Sequence, residues 1–311
     1  MNILFMGTPE IAATCLASLL DGGYRVVAAV SQPDRPKGRG LTLLPTPVKA
    51  LAMERGIPVY QPESVKDEAL LPLLTETKPD AIVVVAYGKI LPSYILRFPR
   101  YGCVNLHVSL LPKYRGAAPM QRAVMNGETE TGVTAMLMDE GLDTGDILFA
   151  ETFPIGEEDT FETVHDTSAR IGGPLLCKTL AALAAGTVTP RKQEGVATYA
   201  EKITKEDQKI DFTLPAGVLH ARIRGLSPIP LALTKTPDGK LLKIVSARVT
   251  EGKGRPGEVL RLEKEGFAVA CGEGALLVTR IVPEGKGRMD AADFVRGRKI
   301  AVGDVLGEDT P

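Results

Sequence analysis

A mostly parallel α/β sheet with helices on both faces, followed by a small C-terminal β-barrel, is the fold predicted by three observations on this 311-residue chain. Apolar runs rich in β-branched residues alternate with helical patterns through the first part of the sequence. A polar stretch containing Pro190 and Gly195 then breaks the pattern, and beyond it short strand-like runs succeed one another at turn signals. Continuously apolar strands separated by helices indicate a parallel sheet buried on both faces. Closely spaced short strands indicate a sandwich or barrel. The expected division is therefore a first domain over 1–188, a linker over 189–206 and a second domain over 207–311.

Taken in order, residues 3–5, 26–30, 81–85 and 103–105 read as buried strands. Between the first two, residues 10–20 place Ile11, Leu16, Leu19 and Leu20 on one helical face. Asp159-Thr160 opens another helix that runs towards Ala185, and Gly186 ends it. After Asp207 comes one helical stretch, 214–224, and then strand-like runs at 231–233, 241–245, 257–262, 267–270 and 275–282. Pro237-Asp238-Gly239 and Gly272-Glu273-Gly274 supply turns between them. The first part is thus Rossmann-like and the second OB-like, a barrel that can bind nucleic acid or serve as an accessory.

With 44% hydrophobic and 24% charged residues the chain has an ordinary globular composition, and its length favours two cores over one. Cys15, Cys103, Cys177 and Cys271 lie far apart, which argues against both a disulfide framework and a zinc site and fits a reducing cytoplasm. No basic leader followed by an apolar core opens the sequence, and no apolar run reaches membrane-spanning length, so neither export nor insertion is expected. The net charge of −1 conceals an asymmetry. Residues 207–311 hold 17 Lys and Arg against 14 Asp and Glu, whereas residues 1–206 hold 20 against 24. The basic lean supports RNA binding only weakly, because nucleic-acid surfaces are usually more clustered.

Several chemistries lack their signatures. Gly7-Thr8-Pro9-Glu10 sits where a dinucleotide fold carries its phosphate loop, but the G-x-G-x-x-G spacing is missing, so neither a nicotinamide nor a flavin is expected. There is no P-loop, no nucleophile elbow and no His-Glu-x-x-His. Asn105-Leu106-His107 remains as the strongest chemical signal. Residues two apart on a strand share a face, so Asn105 and His107 project together at a carboxyl end of the sheet, and Gly-flanked Asp143 follows downstream. An amide donor, an imidazole and a carboxylate suit chemistry at a carbonyl. His165 and His220 lack such surroundings and read as surface or packing residues.

At this point a resemblance becomes specific. The segments Met6-Gly7-Thr8-Pro9, Val85-Ala86-Tyr87-Gly88-Lys89-Ile90-Leu91-Pro92, Asn105-Leu106-His107-Val108-Ser109-Leu110-Leu111-Pro112, Arg115-Gly116-Ala117-Ala118-Pro119 and Gly141-Leu142-Asp143-Thr144-Gly145 resemble, in order, those of the family that transfers formyl groups from 10-formyltetrahydrofolate. The Gln32-Pro33-Asp34-Arg35-Pro36-Lys37-Gly38-Arg39-Gly40 loop and the second domain are similar to its tRNA-directed branch. The resemblance implies a cytoplasmic, monomeric enzyme that formylates the α-amino group of methionyl initiator tRNA by direct amine attack through a tetrahedral intermediate, without a metal. It implies that Asn105, His107 and Asp143 are catalytic, that Ser109, Leu110, Leu111 and Pro112 lie against the folate, and that Arg35, Lys37 and Arg39 reach the tRNA. Asn105 would donate to the developing oxyanion, His107 would take a proton from the attacking nitrogen or donate to the oxyanion, and Asp143 would orient the ring.

The chain departs from the family pattern where relatives often carry tryptophan, for it has none: Lys113-Tyr114-Arg115 keeps an aromatic residue and Ser227-Pro228-Ile229-Pro230 does not. Two other functions stay open on the residues alone. One is formylation of a small amine, which needs the same three residues but no basic loop, and the other is a non-catalytic RNA-binding protein.

Overall fold

Alternation along the first strand, Asn2–Gly7, already divides the first core in two. Ile3 and Phe5 point to one face of the sheet, Leu4 and Met6 to the other, and all four are fully buried. The computed structural model describes residues 1–37 and 42–307. It forms two compact units, one of Met1–Pro119, Glu130–Phe153 and His165–Ala200, the other of Met120–Thr129, Pro154–Val164 and Glu201–Pro311.

In the first unit seven strands lie in the order Ile147–Pro154, Glu130–Leu137, Cys103–His107, Ala81–Val85, Asn2–Gly7, Arg25–Val30 and Val59–Tyr60. The last five pair in parallel, whereas Glu130–Leu137 runs antiparallel to Cys103–His107. This is the mostly parallel sheet that the sequence predicts, extended at one edge by two strands that the apolar-run reading did not include. On one face Ile3, Phe5, Val83, Val104 and Leu106 pack with Leu16 and Leu19 of the helix Glu10–Asp21 and with Leu175, Leu176 and Leu180 of the helix Phe161–Ala185. On the other, Leu4, Met6, Ile82, Val84 and Cys103 pack with Leu73, Leu74 and Ile95. Each fully buried Leu or Ile removes enough apolar surface from water to contribute about 1.5–3 kcal/mol, so cutting Leu16 to Ala should cost roughly 2–5 kcal/mol.

In the second unit the strands Ala232–Lys235, Leu241–Thr250, Ala275–Pro283, Gly266–Ala270 and Val259–Glu263 form an antiparallel sheet in that order. Register shifts after Ile244, Ser246 and Val259 mark bulges that bend it, giving a C-terminal antiparallel sheet domain. Leu242, Ile244, Phe267, Leu276 and Val278 fill its core with Leu219 and Ile223 of the helix Ala216–Leu226. Gly239 and Gly274 take the positive φ that their turns require. The helix Pro119–Met125 adds Met125 to the same core, where Gly225 lets the Met125 and Gln121 backbone approach closely. All four cysteines are free. Burial pushes the thiols of Cys15 and Cys103 up to about 12 and that of Cys271 up to about 11, so these three do not act as thiolate nucleophiles near neutral pH.

Arg122 on that helix donates to Asp207 at 2.6 and 3.0 Å and to the Glu201 carbonyl at 3.1 Å. Asp207 in turn accepts the Thr204 backbone N–H at 2.8 Å in the capping box of the helix Lys205–Gln208. The Arg122 guanidinium, with help from Thr204, holds the Asp207 carboxyl well below the usual carboxylate range. A carboxyl lowered in the folded state stabilises above its unfolded pKa of about 4, and that stability is lost as pH falls through the lower folded value. Asp207→Asn should therefore lose roughly 1–3 kcal/mol in urea unfolding at neutral pH, and the gap to the wild-type protein should close below pH ~4. A gap that stays constant down to pH ~2 would rule out this role for the ionised carboxylate.

Candidate active site

Parity along Cys103–His107 decides which face its two polar side chains take. Val104 and Leu106 enter the cluster beneath the Glu10–Asp21 and Phe161–Ala185 helices, and Cys103 enters the opposite one. Asn105 and His107 share the face of Cys103, at the carboxyl end of the parallel strands where ligands of such sheets gather. They are only 9% and 5% exposed. Among the described residues no protein group hydrogen-bonds the Asn105 side-chain amide, which leaves its donors available to a substrate.

His107 is held from both sides. Its Nε2 lies 2.8 Å from the Tyr114 carbonyl oxygen. That oxygen can only accept, so Nε2 carries a hydrogen and donates it. Nδ1 faces Asp143 Oδ2 at 3.6 Å, an ion-pair separation longer than a hydrogen bond. The same Oδ2 accepts the Gly116 backbone N–H at 2.8 Å. The structure thus brings His107 and Asp143 together as the sequence suggests, and it adds the Tyr114 carbonyl as the group that fixes the ring at Nε2. The backbone contact carries no signature in the residue types, so the sequence gives no sign of it.

The chain supports this arrangement at some conformational cost. Tyr114 and Asp143 adopt φ of +59° and +51°, a left-handed conformation that costs a non-glycine residue on the order of 1–3 kcal/mol and recurs at functional sites. Arg115–Gly116 pairs in parallel with Tyr199–Ala200, and the Tyr114 N–H donates to Thr198 Oγ1 at 2.8 Å. Gly116 has φ +116°, and a Cβ there would lie 2.9 Å from the Ala200 carbonyl oxygen, so only glycine fits.

Residues 109–112 leave the strand as a loop fixed by Thr134, which sits opposite His107 in the neighbouring strand. Buried Thr134 Oγ1 donates to the Ser109 carbonyl at 2.7 Å and accepts the Leu111 N–H at 3.3 Å. The Ser109 hydroxyl, read from the sequence as a ligand contact, is buried and donates to the Lys113 carbonyl at 2.6 Å. Serine there shapes the loop from within. Leu110 and Pro112 are half-buried and Leu111 is buried, which gives the loop an apolar side. Tyr114 is buried, whereas Ile229, at the other position where relatives often carry tryptophan, is exposed.

Part of the basic loop is paired as a strand. Arg35–Lys37 and Thr42–Leu44 pair antiparallel, with Arg35 opposite Leu44, and Arg35 is exposed. Arg39 lies outside the described residues. Next to Arg35, Asp34 pairs with Lys49. Lys49 also donates to Gln61 Oε1 at 2.8 Å, and Gln61 Nε2 donates to Asp34 at 2.7 Å and to the Gln32 carbonyl at 2.8 Å. The Lys49 hydrogen bond, then that of Gln61, holds the Asp34 carboxyl below its ordinary range. Among the described residues no cluster of His, Cys, Asp and Glu could hold a metal ion, and no helix is long and apolar enough to cross a membrane.

A free amide donor next to an imidazole that keeps one nitrogen tied and the other facing a carboxylate is equipped to stabilise charge and move a proton at a carbonyl carbon, which is the work of an acyl-type group transferase. The chain belongs to the formyl transferase family. The family's profile matches residues 1–180 and that of its C-terminal domain matches residues 202–299. Methionyl-tRNA formyltransferase of Citrifermentans bemidjiense is 46% identical over 309 residues, covering 99% of this chain and 97% of that protein. The methionyl-tRNA formyltransferase of Pseudomonas putida is 46% identical over 311 residues, covering 99% and 100%. Among solved structures, HypX from Aquifex aeolicus in complex with tetrahydrofolic acid shares the fold with a TM-score of 0.65 at 19% identity, over 96% of this chain and 48% of that one. An N-formyltransferase from Helicobacter canadensis does so with a TM-score of 0.63 at 19% identity, over 90% and 99%.

Thr134→Val keeps the shape of the side chain and removes the hydroxyl. The Ser109 carbonyl and Leu111 N–H would lose a buried partner, so unfolding free energy should drop by about 1–3 kcal/mol. Unchanged denaturant stability would show that the loop does not depend on this bond.

Proposed function

We propose that the chain transfers the formyl group of 10-formyltetrahydrofolate to the α-amino group of methionyl initiator tRNA. The observation that carries this reading is the 46% identity to methionyl-tRNA formyltransferases over almost the whole length of both chains.

A folate head group needs an apolar wall and a few polar partners. The apolar side of loop 109–112 and the Asn105 amide fit that requirement, with Leu110, Leu111 and Pro112 as the wall and Ser109 shaping the loop. When bound, 10-formyltetrahydrofolate supplies the formyl carbon, and its N10 departs. Asn105 donates to the formyl oxygen as the methionyl amine adds and negative charge develops there. With its Nε2 hydrogen committed to the Tyr114 carbonyl, His107 exchanges protons at Nδ1, taking one from the attacking nitrogen and returning one to the departing nitrogen. Asp143 balances the positive charge the ring then carries. The amine forms one C–N bond, another breaks, and formylmethionyl-tRNA and tetrahydrofolate result.

Residues 1–188 carry the formyl transfer in this reading, residues 189–206 connect, and residues 207–311 help hold the tRNA backbone with their basic excess. Arg35, Lys37 and Arg39 meet the acceptor end, where phosphates and unstacked bases offer partners to cations. A charged tRNA as substrate places the enzyme in the cytoplasm. The single chain is the working unit, since Asn105, His107 and Asp143 all come from one unit of one chain.

Incubation with 10-formyltetrahydrofolate and methionyl initiator tRNA should place formyl groups on the methionine. Asn105→Ala should lower turnover about 10²–10³-fold while folate still binds, and Arg39→Ala should weaken formylation of the charged tRNA far more than folate binding. Transfer to a small amine but not to the charged tRNA would refute the acceptor assignment, and near-normal turnover of Asn105→Ala would refute its role.

A further inference from the structure

The segment 191–200 bonds to both residues that flank the two ring nitrogens of His107, Asp143 and Tyr114. On one side, Gln193 Nε2 donates to the Asp143 carbonyl at 2.7 Å and to the Gly145 carbonyl at 2.9 Å. Its Oε1 accepts from Arg115 Nε at 3.1 Å and from a terminal nitrogen of the same guanidinium at 2.7 Å. On the other side, Thr198 Oγ1 accepts the Tyr114 N–H at 2.8 Å, and the Thr198 carbonyl accepts the Arg115 N–H at 2.8 Å. Backbone bonds between Arg191 and Ile147, at 2.7 and 2.9 Å, fix the start of the segment.

The Gln193 amide is used in full: two hydrogens on two carbonyls, and both lone pairs on one guanidinium. Turning the amide over would set its oxygen against two carbonyl oxygens and its hydrogens against a cation, so its orientation is fixed by its partners. What it grips is the Asp143 backbone, which stands in the left-handed conformation at φ +51°. A residue in that conformation stays there only if its surroundings hold it. Gly116 tethers the Asp143 carboxylate and Gln193 tethers its main chain, so together they place Oδ2 against His107 Nδ1. Thr198 does the same for Tyr114, another left-handed residue, whose carbonyl takes the Nε2 hydrogen.

We propose that Gln193 and Thr198 are positioning residues for the formyl-transfer reaction, Gln193 acting through Asp143 and Thr198 through Tyr114 on the two nitrogens of His107. The proposal rests on the reading of His107 and Asp143 as the proton-handling pair.

A double-mutant cycle in steady-state formylation separates the two. Gln193→Met should lower kcat about tenfold, a loss in keeping with a small misplacement of a catalytic group, with KM for folate and for charged tRNA unchanged. In an Asp143→Asn background, Gln193→Met should have less than about a twofold effect, because the group it positions is already disabled. An equal loss in both backgrounds would overturn the proposal for Gln193. An Asp143→Asn enzyme with wild-type turnover would overturn it too, and would place the fault in the reading of Asp143. Thr198 gives an independent arm that does not depend on the folding of the Gln193 variant. Thr198→Val should lose kcat and Thr198→Ser, which keeps the hydroxyl, should recover it. Equal activity of Val and Ser variants would exclude a positioning role for that hydroxyl.

Discussion

The hydrogen bond from His107 Nε2 to the Tyr114 carbonyl is the constraint on which the candidate site depends. It commits one ring nitrogen to a backbone acceptor and leaves Nδ1, the nitrogen that faces Asp143, as the one able to exchange a proton. For the carbonyl to reach the ring, Tyr114 must turn left-handed, and for Asp143 to reach the other nitrogen, it must do so as well. Two unfavourable backbone conformations persist because neighbouring groups bond them in place: the Gly116 N–H on the carboxylate, the Thr198 hydroxyl on the Tyr114 N–H, and Gly116 against Ala200 where no side chain would fit. Rigidity there comes from hydrogen bonds between segments far apart in sequence.

Beneath it lies a simpler rule, the two-residue repeat of a strand. Apolar side chains on Asn2–Gly7, Ala81–Val85 and Cys103–His107 fill both faces of the sheet. The buried polar side chains of these three strands are Asn105 and His107, at the carboxyl end of the last of them. Polar side chains are thus concentrated at one place in an otherwise apolar layer. The second unit builds its core independently, around Phe267, Leu276 and Val278, with the Arg122–Asp207 pair tying its first helix to the turn at Thr204.

Much of this is legible in the residues. Continuous runs such as Val26–Val30 announce buried parallel strands, Gly239 and Gly274 announce turns, and the Asn-x-His spacing on a strand places two polar groups on one face before any coordinate is seen. Glu130–Leu137 was harder to see, because an edge-side antiparallel strand of mixed composition has no simple period. Contacts made through backbone atoms leave no trace in residue type, which is why the Tyr114 carbonyl and the Gly116 N–H escape a reading of side chains. Thr134 and Gln193 escape it for another reason: each is an ordinary polar residue, and its importance comes from which distant carbonyls the fold brings to it. Ser109 carries the opposite lesson, for a hydroxyl beside a candidate catalytic strand can give its hydrogen to its own loop.

Nitrogen NMR of the protein labelled at its histidine rings reads the His107–Tyr114 bond itself. In the neutral ring, Nε2 of His107 should carry the signature of a protonated, hydrogen-bonded nitrogen and Nδ1 that of an unprotonated one. A neutral ring with its hydrogen on Nδ1 and a free Nε2 would contradict the account, since the Tyr114 carbonyl would then face a lone pair and the proton-exchanging nitrogen would be the wrong one.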